Sequence, residues 1–279
     1  AFQVLVGTDI KVNQTYRGPL LKTIEQIAES FKPWNPGTEL TVGLFSSVVP
    51  EFDERAFREA LVNAFGHRDY SLLGRVRVLV DDAGLTIANP GGFVEGINVH
   101  NLLTAEPRGR NPCLMDALKR TGLAERTGRG IDRIFEGALN YGRPLPDYSR
   151  SNRRGVSVLL PRSVPDKAFV ELLAEERERS GKSMSLDGLL ILDKLKSERR
   201  CGFDVLSGSL DMSDQRLRTV LGQLTEAGLV ESAGVGARRT YMLGAKVYRR
   251  SGRAMEYVRQ SDIDRVRYPE LIIELMHEQ

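Results

Sequence analysis

Apolar positions along this chain recur with two different periods, and the two alternate. Over residues 18–32, Leu20, Leu21, Ile24, Ile27, Ala28 and Phe31 fall at the three-to-four spacing of one helix face. The stretch 33–37 breaks that period, and residues 40–49 read as a strand. A second helix is expected over 54–67, with Phe57, Leu61, Ala64 and Phe65 on its buried side. Two short strands, 76–80 and 85–88, follow across an Asp81-Asp82-Ala83-Gly84 turn, and Asn89-Pro90-Gly91-Gly92 stops the second of them. A long loop then runs to Gly109. Asn111-Pro112 makes a helix start, with Asn111 as cap and Pro112 in the first turn. Another helix is expected from Gly130 to about Tyr141, and residues 155–160 close the segment as a strand. Helices and strands in mixed order predict a two-layer α/β domain over 1–162.

The run Pro161-Arg162-Ser163-Val164-Pro165 interrupts the pattern, and residues 163–184 read as a linker with a charged connecting helix over 167–179. Three helices follow, at 185–199, 204–210 and 213–227. Two short strands then flank the turn AGVGARR. Three helices and a hairpin are the order of a winged helix-turn-helix, expected over 185–250. In the tail, 251–279, Leu271, Ile272, Leu275 and Met276 share one face. They suggest the first helix of a second winged helix, with a dimerisation or docking helix as the alternative. The chain starts without Met in a strand-like alternation and stops in an amphipathic helix, so both ends read as cut from a longer protein.

Composition narrows the class. Of 279 residues, 41% are hydrophobic and 28% charged, as expected of a folded domain with its own core. The net charge of +3 permits a nucleic-acid partner without demanding one. Two cysteines, Cys113 and Cys201, and three histidines give no metal-ligand spacing. No apolar run reaches membrane-spanning length. The expectation is a reduced, cytoplasmic protein.

The candidate chemistry begins in REALVNAFGHRDYS, residues 58–71. Glu59 and Asn63 stand four apart and so share one helix face. A carboxylate can take a proton from water, and an amide oxygen is a hard ligand suited to Mg²⁺. Two glycine clusters, Asn89-Pro90-Gly91-Gly92 and Thr127-Gly128-Arg129-Gly130, would let backbone amides approach phosphate, the second at a helix start. Each feature alone is common; their order and spacing carry the weight.

Taken together, the runs REALVNAFGHRDY, LTIANPGGF and RGRNPCLMDALKRTGLAERTGRGIDRIFE resemble the domain family named for the C-terminal part of the RecG ATP-dependent helicase. That family is a branch of the GHKL (Bergerat, HATPase-type) ATPases, which include gyrase and histidine kinases. The resemblance spans residues 1–162. It implies an α/β sandwich with nucleotide held between the sheet, the Glu59–Asn63 helix and a lid. By resemblance, Glu59 is the general base and Asn63 the Mg²⁺ ligand. Asn89 stands where the superfamily has an adenine-reading Asp; its carbonyl can still accept, but its NH₂ adds a donor and the charge is missing. Gly91 and Gly92 would flank the base, and Gly128 and Gly130 would meet phosphates. Arg108 and Arg110 would pair with phosphates from the lid, or else are solvated loop residues. His67 and Arg68 belong to the motif, and a structural or site-edge role is expected of them. No Walker P-loop is present, so a P-loop helicase is excluded. ATP and Mg²⁺ are the expected ligands, and hydrolysis is left open.

In the second domain, Leu217, Val220, Leu221 and Leu224 form the core stripe of the third helix, and Ser213 can cap it. Gln215, Arg216, Thr219 and Gln223 lie opposite, with Arg218 at the flank; these types read base edges in a major groove. Arg238 and Arg239 fall in the wing, where phosphate contact is expected. Over 186–250, 11 basic residues against 8 acidic leave 11 − 8 = +3. The expected partner is double-stranded DNA, bound by a homodimer; a winged helix serving protein contact is the alternative. Proteins with this domain order are commonly described as bacterial transcriptional regulators, often with a Schlafen-AlbA-type module in front. The reading is therefore an ATP-binding, DNA-binding bacterial regulator. Its rivals are an ATPase acting in a nucleic-acid transaction and a catalytically dead ATPase-fold scaffold.

Overall fold

A computed structural model of the chain describes residues 1–42, 45–124 and 128–250. The chain divides into two compact units, Ala1–Pro165 and a second that starts at Asp166. The tail 251–279 and Thr127 lie outside the described residues.

In the first unit the order is β1 (Phe2–Val6), β2 (Asp9–Gln14), α1 (Leu20–Phe31), β3 (Gly37–Val42), β4 (Phe45–Pro50) and α2 (Glu54–Gly66). Then come β5 (Arg77–Asp81), β6 (Gly84–Pro90), α3 (Pro112–Arg120), α4 (Gly130–Leu139) and β7 (Gly155–Pro161). The main sheet runs β2-β1-β5-β6-β7, with β1 and β5 parallel and the other pairs antiparallel. Alternate residues Phe2, Val4, Val78, Val80, Leu85, Ile87, Val158 and Leu160 are buried. Helix residues Ile24, Ile27, Phe31, Phe57, Leu61, Ile134 and Leu139 complete that core, in which the Phe31 and Phe57 rings stack at 4.1 Å. Period-two burial on the strands against a helical stripe makes this a mixed α/β domain.

Helices α2 and α4 approach each other through glycine. A Cβ on Gly137 would sit 2.6 Å from the Cβ of Ala56 and 2.9 Å from that of Asp53. Seven residues earlier on the same face, a Cβ on Gly130 would sit 2.8 Å from Oε2 of Glu59. Asp53 also caps α2, its Oδ1 accepting from the amides of Arg55 and Ala56 at 2.9 Å each.

Three expectations need correction. The strand read over 40–49 is two strands, β3 and β4, because the chain pairs back on itself antiparallel, Leu40 opposite Ser47 and Val42 opposite Phe45; residues 43 and 44 lie outside the described residues. Strand β6 does not stop at Asn89, since Asn89 and Pro90 stay in the ladder opposite Val156 and Gly155. Asn111 occupies the N-cap position of α3 with Pro112 in the first turn, but its side chain makes no capping hydrogen bond. Its Nδ2 instead donates to the carbonyls of Gly66 (2.9 Å) and Arg68 (2.8 Å), which the end of α2 leaves without intrahelical partners.

The second unit comprises α5 (Lys167–Ser180), α6 (Leu186–Glu198), β8 (Arg200–Gly202), α7 (Phe203–Leu210), α8 (Asp214–Glu226), β9 (Val230–Ala233), β10 (Thr240–Leu243) and α9 (Ala245–Arg250). Its sheet runs β8-β10-β9, antiparallel throughout. Leu189, Ile191, Leu195, Leu206, Leu217, Leu221 and Leu229 form the core. Ser185 and Ser213 cap α6 and α8 by accepting from the amides of Gly188 and Arg216. Strand β8 has only three residues, too few for periodicity to reveal, and is held by pairing with β10. No described helix is long and apolar enough to cross a membrane.

The α2–α4 contact yields a test. A leucine at position 137 gains helix propensity but must displace Ala56 and Asp53. Overpacking of this kind costs about 1–3 kcal/mol, so Gly137→Leu should lower the urea midpoint of unfolding. An unchanged midpoint would show that the two helices are not in close contact.

Candidate functional site

The α2 sequence places Glu59, Asn63 and His67 at successive four-residue steps along one face and at its end, and all three line a cavity of about 370 Å³. Strand β6 contributes Ile87 and Asn89, β7 contributes Val156 and Val158, and the start of α4 contributes Gly130. The loop after β6 closes over these with Phe93, Val94, Ile97, Leu102 and Leu103. Arg108, Lys119 and Gly128 line the same cavity. The volume is that of a site for a small organic ligand, and the lining is mostly apolar with a few polar groups.

Asn89 is 6% exposed. Its Nδ2 donates to the carbonyls of Pro90 (3.1 Å) and Gly91 (3.5 Å), so the oxygen is what it can offer a ligand. The extra donor expected of an Asn in place of Asp is thus taken up by the strand's own end. Glu59 is 4% exposed and engaged. Burial, with Arg110 adding to it, lowers the pKa of His67 and keeps the imidazole neutral. Burial alone raises the Tyr148 phenol far above the usual tyrosine range. That ring lines the cavity between Phe93 and Phe135, at 6.3 and 6.5 Å.

Not every expected residue reaches this cavity. Arg110 donates to the carbonyl of Gly92 at 2.8 Å and pairs with Asp69 at 3.4 Å, so it ties down the loop and does not line the cavity. Gly91, at φ +91°, does not line it either; a Cβ there would lie 2.5 Å from Cβ of Asp69. Gly92 does line it, but a Cβ on it would meet the Asn152 carbonyl at 2.7 Å. Both glycines are therefore demanded by close packing of the turn, whatever binds beside it. Gly128 has φ +78°, a left-handed conformation, and Gly130 must be small because Glu59 lies against it. Sequence reasoning gave no role to Phe93, Lys119 and Tyr148, and only a structural or site-edge one to His67. His67 continues the four-residue spacing of Glu59 and Asn63 and was legible in that sense. The other three come from separate loops and helices; Phe93 and Lys119 fall inside the runs that carry the family resemblance, but nothing there singles them out, and Tyr148 lies outside those runs.

In the second unit Gln215, Arg216, Arg218, Thr219 and Gln223 are all exposed on α8, as are Arg238 and Arg239 in the turn before β10. Arg216 is not free: its Nε and Nη2 donate to Asp187 on α6 at 2.5 and 2.7 Å. Arg218 lies over the Phe203 ring at 4.3 Å, and the Thr219 hydroxyl donates to the Gln215 carbonyl. Among the described residues, no group of three His, Cys, Asp or Glu is suited to hold a metal.

The first unit is thus an α/β domain with a ligand-sized cavity between its sheet and two helices. Residues 74–160 match the family model described as "Putative ATP-dependent DNA helicase recG C-terminal". That is an ATPase-like domain family, and the match supports nucleotide binding. The matched segment includes Asn89, both glycine clusters and Lys119; Glu59 and Asn63 precede it. The crystal structure of the DIP2311 protein from Corynebacterium diphtheriae is similar, with a TM-score of 0.73 at 22% identity over 90% of this chain and 52% of that one. This chain therefore spans about half the length of that protein chain, and the two share a fold. No curated protein sequence matches.

His67 makes the domain sensitive to acid. Its folded pKa is lowered from the ordinary value of 6.5, so the unfolded chain takes up the proton first as pH falls. The stability contributed by a neutral His67 is complete above about pH 6.5 and lost below it. Urea unfolding at about pH 8, 6.5 and 5.5 should show this loss, reduced in His67→Gln. Identical pH dependence in the two proteins would mean that the imidazole is not held neutral.

Proposed function

We propose that the cavity of the first unit binds ATP with Mg²⁺, and that this unit is a GHKL-type sandwich. The second unit we read as a winged helix-turn-helix that contacts double-stranded DNA. The chain then acts as a nucleotide-responsive bacterial transcription regulator, cytoplasmic and homodimeric, of the kind that carries a Schlafen-AlbA-type module. One observation carries the reading: a single cavity gathers Glu59, Asn63, Asn89 and the start of α4.

The residues present fit such a ligand. The Asn89 oxygen can accept from the exocyclic amine of adenine, and Phe93 and Tyr148 offer aromatic surface to a purine. The first amides of α4, with Lys119 and Arg108, suit a polyphosphate. Asn63 offers an amide oxygen to Mg²⁺, whose charge would offset that of the phosphates. Glu59 is the candidate base for any hydrolysis. In the second unit, the helix order and the exposed Gln215, Gln223, Arg238 and Arg239 support a DNA-facing side.

Thermal melting with ATP, ADP and Mg²⁺ tests the first half. A ligand at about 100 times its Kd stabilises by about 2.7 kcal/mol, so ATP with Mg²⁺ should raise Tm, and Asn63→Ala should abolish the Mg²⁺-dependent part. Glu59→Ala should keep binding and remove turnover. No shift at millimolar nucleotide would favour the scaffold reading.

Binding of duplexes chosen by selection tests the second half. Because Arg216 is tied to Asp187, base reading should fall to the glutamines. Gln223→Ala should cost about 1–3 kcal/mol at one base position. Arg238→Ala and Arg239→Ala should weaken all sequences alike and flatten the salt dependence. Equal responses from all these variants would indicate a merely charged surface.

A further inference from the structure

The face of the main sheet that the helices leave uncovered carries Gln3, Arg77 and Ala88, the residues alternate to the buried Phe2, Val78 and Ile87. A trough of about 540 Å³ runs along it, lined by Arg75, Arg77 and Arg154. It shares Thr15 and Arg75 with a second trough of about 580 Å³, which brings in Arg17, Arg68, Tyr16 and Tyr70. Among the described residues lining the two there are five arginines and no aspartate or glutamate.

These cations are not neutralised locally. Arg17, Arg75, Arg77 and Arg154 make no ion pair among the described residues; Arg75 donates to the Thr15 hydroxyl at 2.9 Å. Arg68 donates to the Gly74 carbonyl at 2.7 Å and lies 4.6 Å over the Tyr70 ring, while its Nε is buried without a partner. Tyr70 donates to the Phe65 carbonyl at 3.1 Å yet remains 48% exposed, so the ring is held in place but open to a ligand. Like charges converging without carboxylates raise one another's energy, and a polyanion relieves this. The two tyrosines narrow the choice of polyanion. In a duplex the base faces are already stacked on one another, whereas in a single strand they are available to an aromatic ring.

We propose that this trough binds single-stranded nucleic acid, with phosphates on Arg75, Arg77 and Arg154 and bases stacked on Tyr70 and Tyr16. Arg68 holds the Tyr70 ring in position. The site lies wholly within the first unit and rests neither on nucleotide binding nor on the winged-helix reading.

The test uses the whole chain and a fluorescein-labelled oligothymidylate of about 20 nucleotides, with binding read by anisotropy at two salt concentrations. A duplex of the same length and unlabelled heparin and polyglutamate are the comparisons. Arg77→Ala with Arg154→Ala should weaken oligothymidylate binding about tenfold and flatten its salt dependence. Tyr70→Ala should also weaken it about tenfold, while Tyr70→Phe retains it. Lys182→Ala, which removes an exposed cation that lines neither trough, should leave it unchanged. All variants are first compared with the parent in thermal melting; should Tyr70→Ala melt early, the exposed Arg77→Glu variant takes its place, with the same expected loss. The proposal is overturned if the parent does not bind the oligonucleotide, or if the trough variants bind as the parent does. It is equally overturned if Arg238→Ala with Arg239→Ala in the wing abolishes binding while the trough variants keep it, or if duplex and polyglutamate compete as well as an unlabelled single strand.

Discussion

The close approach of α2 and α4 is the constraint on which the rest of the first unit depends. Two glycines seven residues apart, Gly130 and Gly137, let α4 lie directly on Glu59 at one point and on Ala56 and Asp53 at the other. Ordinary side chains at these positions would push the helices apart. The start of α4 would then move away from Glu59 and Asn63, and the cavity would lose one wall. The position of the polar groups is in this sense a packing result, fixed where the helices touch and not where a ligand would sit.

A second fixed point lies at the far wall. Asn89 belongs to the β6 ladder and its NH₂ is held by the carbonyls that follow it, so its side chain has little freedom. The turn beyond it is held by Arg110, which bridges the Gly92 carbonyl and Asp69, and Asn111 next in sequence binds the two carbonyls at and beyond the end of α2. Two neighbouring residues of the loop thus tie the strand end and the helix end together. The cavity is shaped by backbone carbonyls satisfied from the loop, a network of individually modest bonds whose loss would leave buried acceptors unpaired.

Much of this was readable before the structure. Helix α2 announces itself through its apolar spacing, and the four-residue step from Glu59 to Asn63 to His67 gives the direction of its polar face. The mixed α/β character follows from the alternation of periods. What stayed hidden depends on contacts between distant segments. Gly91 and Gly92 look like glycines made for a ligand, yet each is demanded by Asp69 or Asn152 pressing on the turn. Asn111 looks like a helix cap because Asn before Pro usually is one; here a helix end nearby competes for the same side chain and wins. Arg216 looks free on a helix wheel, which does not show Asp187 on another helix. Strand β8 is too short for any period and exists only because β10 pairs with it.

The strand end at Asn89 has two sides. Asn89 lines the cavity between sheet and helices, and with Pro90 it also lines the arginine trough on the uncovered face. Anything bound in the one is separated from the other by the thickness of a single β-strand. An anionic ligand on the inner side and a phosphodiester on the outer side would repel each other through protein, where the field is screened less than in water. Two such ligands would oppose each other's binding, and by linkage to the same extent in both directions. Antagonism of this kind needs no moving part: it follows from where β6 ends.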